Sequence, residues 1–120
     1  MLGVHIDKVG KMAIVQCEGR IVRSESAFRL REAVTSQLDA RIIVIDLSEV
    51  TAVEGDRLGM LVFLQRWTFD HAIQFKLFNP RKSVLNTLER ANSMREFDIA
   101  TLHEMMALLE RAQSRYTLAA

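Results

Sequence analysis

The most constraining feature of this sequence is the run Ile42-Ile43-Val44-Ile45, which is β-branched throughout and does not alternate with polar residues. β-Branched side chains favour strands. A strand that is apolar on both faces belongs in the interior of a sheet whose two faces are both covered, which is typical of parallel sheets. The sequence therefore predicts an α/β structure built around this strand.

Four further strands are predicted around this run. Apolar and polar residues alternate over 4–8, and extended structure resumes over 13–18, with Gly10 between them. This pattern predicts an N-terminal β-hairpin. Short apolar segments over 73–78 and 97–100 predict two later strands.

Four helices are predicted from helical spacing and capping signals. The first begins at Ser24 or Ser26, the second runs from Gly55 to Asp70 after a turn over 46–54, and the third begins at Asn79-Pro80. Three predicted core stripes are Ala27, Leu30, Val34 and Leu38 on the first helix, Val84, Leu85, Leu88 and Ala91 on the third, and Leu102, Met105, Met106, Leu109 and Ala112 on the last.

The predicted order is ββαβαβαβα. It implies an α/β fold with a mixed sheet of about five strands and about four helices, in which an antiparallel hairpin is followed by parallel crossovers. The 120 residues contain one proline and five glycines and show no linker or repeat, so a single domain over 1–120 is expected.

Composition argues against several classes of partner. Sixteen basic and fifteen acidic residues give a net charge of +1, and the longest basic block is Arg81-Lys82, so neither nucleic acid nor an anionic membrane surface is expected as a partner. No apolar run approaches the ~18 residues of a membrane span, and no membrane insertion is expected. The single cysteine, Cys17, cannot form an internal disulfide, which fits a cytoplasmic protein.

Catalytic signatures are missing from the sequence. It contains neither a phosphate-binding loop nor a dinucleotide-binding glycine motif. His103-Glu104 resembles the start of a zinc-binding helix, but Ala107 occupies the position of the second histidine. We therefore predict no catalytic residue, no cofactor and no metal, and we interpret Cys17 as a buried core residue.

The segment that follows the central strand is the predicted functional site, because ligands and partners of open α/β sheets meet the carboxyl ends of parallel strands. There the run Val44-Ile45-Asp46-Leu47-Ser48-Glu49-Val50-Thr51, followed by an acidic residue and Leu58-Gly59, resembles the STAS domain of bacterial anti-sigma factor antagonists. The resemblance extends to Glu18-Gly19-Arg20-Ile21 and to Phe78-Asn79-Pro80, and it covers nearly the whole chain.

This resemblance implies a non-catalytic protein–protein interaction module that acts in bacterial signalling and transcription regulation by partner switching. Antagonists of this family, also called anti-anti-sigma factors, bind an anti-sigma factor that is also a serine kinase. Phosphorylation of one serine turns that binding off. The family pattern at the serine is Asp-Ser-Ser/Thr-Gly-Leu-Gly, and alignment on Leu58-Gly59 places Gly55 at the phosphoacceptor position.

Gly55 has no hydroxyl, so the usual phosphorylation switch is predicted to be missing. Two outcomes are open: the module binds permanently, or Asp56 supplies a fixed negative charge that imitates the phosphorylated state. An ordinary N-cap also explains Asp56. Arg57 replaces the family glycine, which fits either an acidic patch on the partner or a local pair with Glu54 or Asp56.

The predicted partner-binding residues flank this segment and the loop before the first helix. They are Arg23, Ser24, Ser48, Thr51, Glu54, Gly55, Asp56 and Arg57. Ser24, Ser26, Ser48 and Thr51 are also alternative phosphorylation sites, although turn and cap roles explain them as well.

The second helix carries two opposed apolar stripes, of which one must cover the sheet. The first stripe is Leu58, Leu61, Val62 and Phe69, and the second is Met60, Phe63, Leu64 and Trp67. The second stripe is either buried by a neighbouring helix or exposed as a hydrophobic interface.

The leading interpretation is an anti-sigma factor antagonist whose partner is a serine kinase-type anti-sigma factor. The alternative is a constitutive STAS subunit of a larger assembly, either a lipid-transport or a stress-signalling complex. A third interpretation is nucleotide or small-ligand binding in the same crevice. A homodimer is left open.

Overall fold

The computed structural model describes residues 2–54, 58–91 and 97–119, with side chains described for 2–54, 58–90 and 97–113. The described residues form five strands and four helices in the predicted order. They are β1 (Leu2–Val9), β2 (Met12–Ile21), α1 (Ser24–Thr35), β3 (Ile42–Val53), α2 (Leu58–Asp70), β4 (Gln74–Phe78), α3 (Lys82–Ala91), β5 (Ile99–Ala100) and α4 (Leu102–Ala119).

The strands form one sheet in the order β1-β2-β3-β4-β5. β1 pairs antiparallel with β2, with Val4 opposite Cys17. The pairs β2–β3, β3–β4 and β4–β5 are all parallel. The predicted mixed sheet, an N-terminal hairpin followed by parallel crossovers, is confirmed.

The central strand is buried on both faces, as its sequence predicts. Ile43 and Ile45 belong to the main core, which is completed by side chains of α1, α2 and α3 on one face of the sheet. Val44 points the other way, into a smaller cluster with Met105 and Leu108 of α4. All three β3 side chains are 0% exposed. The helix layer thus covers one face of the sheet, and α4 covers part of the other.

The turn predicted over 46–54 is wrong, because β3 continues through this segment to Val53. The continuation pairs with β2 through irregular register, with Glu18 opposite Glu49 and Ile21 opposite Val53. Gly19 lies at this irregularity with φ +116°, a backbone conformation that favours glycine. Polar residues here lie on the face that the main helix layer does not cover, so they are compatible with a strand.

The helix boundaries differ from the prediction at three places. The N-cap of α1 is Arg23, with no side-chain capping bond, and neither Ser24 nor Ser26 serves as the cap. α1 ends at Thr35, so Leu38 lies beyond it and is 66% exposed. α3 begins at Lys82, after an Asn79 with φ +52°.

The apolar stripes on α2 and α4 also differ from the prediction. On α2 the buried side chains are Leu58, Leu61, Leu64 and Thr68, which combines members of both predicted stripes. On α4, Met105 and Leu108 are buried against the sheet, and the predicted Leu109 and Ala112 pack against the same cluster, whereas Leu102 and Met106 are mostly exposed. No helix in the described part of the chain is long and apolar enough to span a membrane.

Candidate functional site

The candidate site lies where the carboxyl ends of β2 and β3 meet. The backbone N–H of Glu54 donates to the carbonyl of Ile21 (3.1 Å), and the hydroxyl of Thr51 donates to the carbonyl of Gly19 (3.3 Å). These bonds bring the end of β3 beside the connection that leads into α1. The connection carries Arg23 at the N-cap of α1, and the first helical residue is Ser24.

Four of the predicted partner-binding residues are therefore brought to one edge of the sheet. Arg23, Ser24, Thr51 and Glu54 all have exposed side chains. This edge is polar, since it combines one cation, one carboxylate and two hydroxyls. Such an edge offers hydrogen bonds and charges to another surface.

The predicted residues Gly55, Asp56 and Arg57 lie outside the described residues. On either side of them, Val53 (8% exposed) and Leu58 (5% exposed) are buried in the core, and Glu54 between Val53 and Gly55 is exposed. The N-cap role of Asp56 and the local pair of Arg57 with Glu54 or Asp56 stay predictions.

Ser48 is placed differently from the other predicted residues, because it is half-buried and its polar atoms have partners within the fold. Its backbone N–H and its hydroxyl both donate to Oδ1 of Asp46, the former at 2.9 Å. The side-chain amide of Asn79 donates to the Ser48 hydroxyl (3.1 Å). Arg81 Nε donates to the Ser48 carbonyl (2.9 Å) and its guanidinium also contacts Glu49 (3.4 Å). Ser48 therefore connects β3 to the segment between β4 and α3.

Sequence reasoning did not assign this connecting role to Asn79 and Arg81. The sequence Asn79-Pro80 is the available signal, but its pattern predicts the start of a helix. The positive φ of Asn79 at +52° instead turns the chain so that its amide reaches Ser48. Asparagine adopts this left-handed conformation more readily than most residues.

The predicted hydrophobic stripe on α2 is only partly accessible. Leu64 is 0% exposed and is part of the core, so it is not an interface residue. Met60 and Trp67 are half-buried against the same core, and Trp67 also stacks on His71 with ring centroids 4.2 Å apart. Phe63 is 40% exposed, and the Arg31 guanidinium lies 4.6 Å from its ring centroid.

Cys17 is buried, as predicted. Burial, reinforced by the nearby negative charge of Asp46, raises the pKa of the Cys17 thiol to about 12. The thiol is therefore protonated at neutral pH, and a protonated thiol is a poor nucleophile and a poor metal ligand. Among the described residues, no group of three or more His, Cys, Asp or Glu side chains is placed to hold a metal ion.

The overall fold of the chain recurs in solved structures. The chain is similar to unphosphorylated SpoIIAA, an anti-sigma factor antagonist (TM-score 0.73, 12% identity, 91% of this chain and 97% of that chain covered). An anti-sigma factor antagonist from Mycobacterium paratuberculosis matches with TM-score 0.75 and 15% identity over 92% of this chain and 95% of that chain. The chain has the STAS fold.

Two more structures share the STAS fold with this chain. The phosphorylated form of Bacillus SpoIIAA matches with TM-score 0.67 and 12% identity over 89% of this chain and 99% of that chain. A chain from the molecular architecture of the stressosome, a signal integration and transduction hub, matches with TM-score 0.61 and 17% identity over 89% and 96% of the two chains. By sequence, no protein-family model and no curated protein matches the chain.

Proposed function

We propose that this chain is a non-catalytic, cytoplasmic anti-sigma factor antagonist that binds a serine kinase-type anti-sigma factor. The observation that carries the proposal is the similarity of the fold to SpoIIAA and to the mycobacterial antagonist, which extends over more than 90% of this chain in both cases. The match also spans nearly all of each antagonist, so the similarity covers the whole fold of each chain and not a fragment of it.

The proposed docking surface is the edge formed by Arg23, Ser24, Thr51 and Glu54 together with residues 55–57. Its support is that backbone and side-chain hydrogen bonds hold the ends of β2 and β3 together there, with the polar side chains exposed. Rigid elements thereby present groups that a partner can contact without reordering them, which reduces the entropy cost of binding.

Binding is proposed to be independent of the usual serine switch, because the resemblance aligns Gly55 with the phosphoacceptor position and Gly55 carries no hydroxyl. A phosphate in this position would add about two negative charges to the docking surface. This chain cannot acquire that charge at Gly55. The kinase activity of the partner should therefore leave the complex intact.

The test combines the chain with a serine kinase-type anti-sigma factor, with and without ATP, and measures affinity by calorimetry and phosphorylation by mass spectrometry. We expect the same affinity in both conditions and no added phosphate. The Gly55→Ser variant should be phosphorylated and should then bind at least about tenfold more weakly, as expected for charge repulsion at an interface. Phosphorylation of the unmodified chain at any serine or threonine, accompanied by release, would refute the proposal.

A charge reversal locates the surface. Glu54→Lys should weaken binding about tenfold or more, because a reversed charge at a docking edge opposes the partner's complementary charge. Glu89→Lys is the matched control, since Glu89 is an exposed carboxylate on α3, away from the ends of β2 and β3. Equal effects of the two reversals would place the interface elsewhere.

A second candidate function is that of a constitutive subunit in a larger assembly. It is favoured by the exposed aromatic side chains Phe28 (58% exposed) and Phe69 (79% exposed) on α1 and α2, and by the similarity to a chain of the stressosome. Light scattering after size-exclusion chromatography tests it. Self-association that strengthens with concentration supports it, whereas a monomer at all concentrations argues against an obligate homo-oligomer.

A further inference from the structure

A cavity lies at the opposite edge of the sheet from the proposed docking surface. It has a volume of about 850 Å³ and is bordered by the amino ends of β2, β3 and β4 and by α4. The strands contribute Met12, Ile42 and Gln74, and α4 contributes Leu108 and Arg111. This volume is in the range of ligand sites for small molecules.

The charged side chains that line the cavity are all cationic. They are Lys11, Arg41, Lys76 and Arg111, and the described lining residues include no carboxylate. Lys76 is neutralised by Asp98, whose carboxylate lies 2.8 Å from its ammonium. Lys11, Arg41 and Arg111 form no ion pair with any other described residue. On a chain whose net charge is only +1, three uncompensated cations around one cavity are a local concentration of positive charge.

The floor of the cavity is apolar. Met12 is 2% exposed and Leu108 is 7% exposed, and both belong to the cluster that joins α4 to the sheet. Ile42 and Ala112 pack against this cluster and also line the cavity. The cavity thus combines an apolar interior with a cationic rim made of exposed Lys11, Arg41 and Arg111.

We propose that this cavity binds a small anionic amphiphile, with a phosphate-type headgroup held by Arg41, Arg111 and Lys11 and an apolar tail against Met12, Ile42 and Leu108. Guanidinium groups suit phosphate because they form paired, charge-assisted hydrogen bonds with it. The tail gains stability by replacing water over the apolar floor. A headgroup without a tail does not cover the apolar floor and lacks this contribution to the binding free energy, so both parts of the ligand are required.

This site is independent of the proposed antagonist function. It lies at the amino ends of the parallel strands, whereas the docking surface lies at their carboxyl ends. β3 runs between them from Ile42 to Val53, a distance of roughly 35–40 Å for an extended strand of this length. Loss of the ligand site therefore need not affect partner binding, and the two proposals can fail separately.

The test is calorimetric titration of the purified chain with octyl and decyl phosphate below the concentrations at which they form micelles. We expect binding of both, with affinity increasing about two- to fourfold per added methylene group while the tail remains in the cavity. Inorganic phosphate should bind at least about a hundredfold more weakly, because it lacks the tail. Decyltrimethylammonium has a similar tail with a positive headgroup and should not bind measurably.

Charge reversal separates this site from general attraction to anions. Arg41→Glu combined with Arg111→Glu should weaken decyl phosphate binding at least about tenfold. Because both side chains are exposed and make no ion pair with the described residues, the variant should remain folded, which circular dichroism verifies. The control reverses Arg29, an exposed residue of α1, and Arg90, an exposed residue of α3, and should bind as the unmodified chain does.

Three outcomes would overturn the proposal. They are equal affinity for inorganic phosphate and decyl phosphate, equal affinity for decyl phosphate and decyltrimethylammonium, and equal weakening by the cavity variant and its control. The first would show that the tail does not contribute to binding, and the second would show that the charge of the headgroup does not. The third would place the binding outside the cavity. Partner binding measured on the same cavity variant shows whether the docking surface is intact.

Discussion

Ser48 illustrates how one small polar side chain can organise a connection between strands. Its hydroxyl donates to Asp46 and accepts from the Asn79 amide, which fixes β3 relative to the segment after β4. Ser48→Ala removes both bonds in a half-buried environment. The free energy of unfolding should fall by about 1–2 kcal/mol.

Urea denaturation measures this loss, and Thr51→Ala is the matched control. The exposed Thr51 hydroxyl makes one bond of 3.3 Å to the Gly19 carbonyl, so its removal should cost less than about 0.5 kcal/mol. If Ser48→Ala and Thr51→Ala have equal effects, the network around Ser48 does not hold the connection together.

Because of Cys17, the free energy of unfolding should decrease at alkaline pH. Burial raises the pKa of its thiol from 9.0 to about 12 in the folded state. Between these two values the unfolded chain loses the thiol proton while the folded chain keeps it. The contribution of Cys17 is therefore fully present below about pH 9, and stability falls as the pH rises toward 12.

The measurement compares the unmodified chain with Cys17→Ser by urea denaturation between neutral pH and about pH 10.5. Subtracting the two curves removes the titration of lysines and of Tyr116, which both proteins share. The unmodified chain should lose about 1–2 kcal/mol more than the variant over this range. Parallel curves would mean that the folded thiol ionises as readily as the unfolded one.

At the scale of elements, the turn between β1 and β2 determines how closely α4 can approach. Gly10 has φ +58°, and a Cβ atom there would lie 3.0 Å from the carbonyl oxygen of Ala112 in α4. Gly10→Ala should therefore lower the free energy of unfolding by about 1–2 kcal/mol, through backbone strain and displacement of the helix.

Gly3→Ala provides the comparison for Gly10→Ala within the same hairpin. Gly3 has no positive φ, and a Cβ there would approach Glu18 no closer than 3.8 Å. Thermal denaturation should find this variant within about 0.5 kcal/mol of the unmodified chain. A Gly10→Ala protein as stable as Gly3→Ala would show that α4 is not seated against the turn.

The central strand shows both the strength and the limit of sequence pattern. The run from Ile42 to Ile45 correctly predicted a strand covered on both faces, because apolar residues at successive positions need cover on each side. Its continuation to Val53 was missed, since Asp46, Ser48 and Glu49 resemble a turn. Local composition does not reveal that one face of the sheet is left largely uncovered there.

The helical stripes show a second limit. Leu30 and Val34 of α1 were correctly placed in the core, but Leu38 followed the same spacing beyond the end of the helix. α2 is apolar on two sides, so its sequence pattern fits either side facing the sheet. In the structure Leu64 is buried and Phe63 is not. Periodicity predicts that a helix has an apolar face, whereas packing between elements decides which residues of that face are buried.

For the molecule as a whole, the fold could be predicted from the element order, but only part of the candidate site could. Thr51 and Glu54 are predicted from their position after the central strand and Arg23 from the loop before the first helix. The structure brings them to one edge, and their role in binding stays a prediction. The roles of Asn79 and Arg81 depend on a contact over about thirty residues of separation with Ser48. The cationic cavity combines residues from four elements and their connections, so no local sequence motif predicts it.

The arrangement of the two cores predicts an order in which parts of the molecule open. β3 pairs with a strand on each side and contributes to both clusters, whereas α4 is held mainly through the smaller cluster that contains Met105 and Leu108. Amides from Val44 to Leu47 should therefore exchange hydrogen only through global unfolding. Amides around Met105 and Leu108 should exchange with a free energy lower by about 2 kcal/mol or more, through local opening.

Native-state hydrogen exchange at low urea concentrations measures both free energies on the same sample. Leu108→Ala should lower the exchange free energies of α4 and of Val44–Leu47 by about the same amount, because Leu108 loses its contacts both when α4 opens locally and when the whole chain unfolds. A single free energy for α4 and β3, in the unmodified chain and in the variant alike, would mean that the sheet and its second-face helix unfold as one unit. In that case the floor of the cationic cavity would open with the same free energy as the central strand.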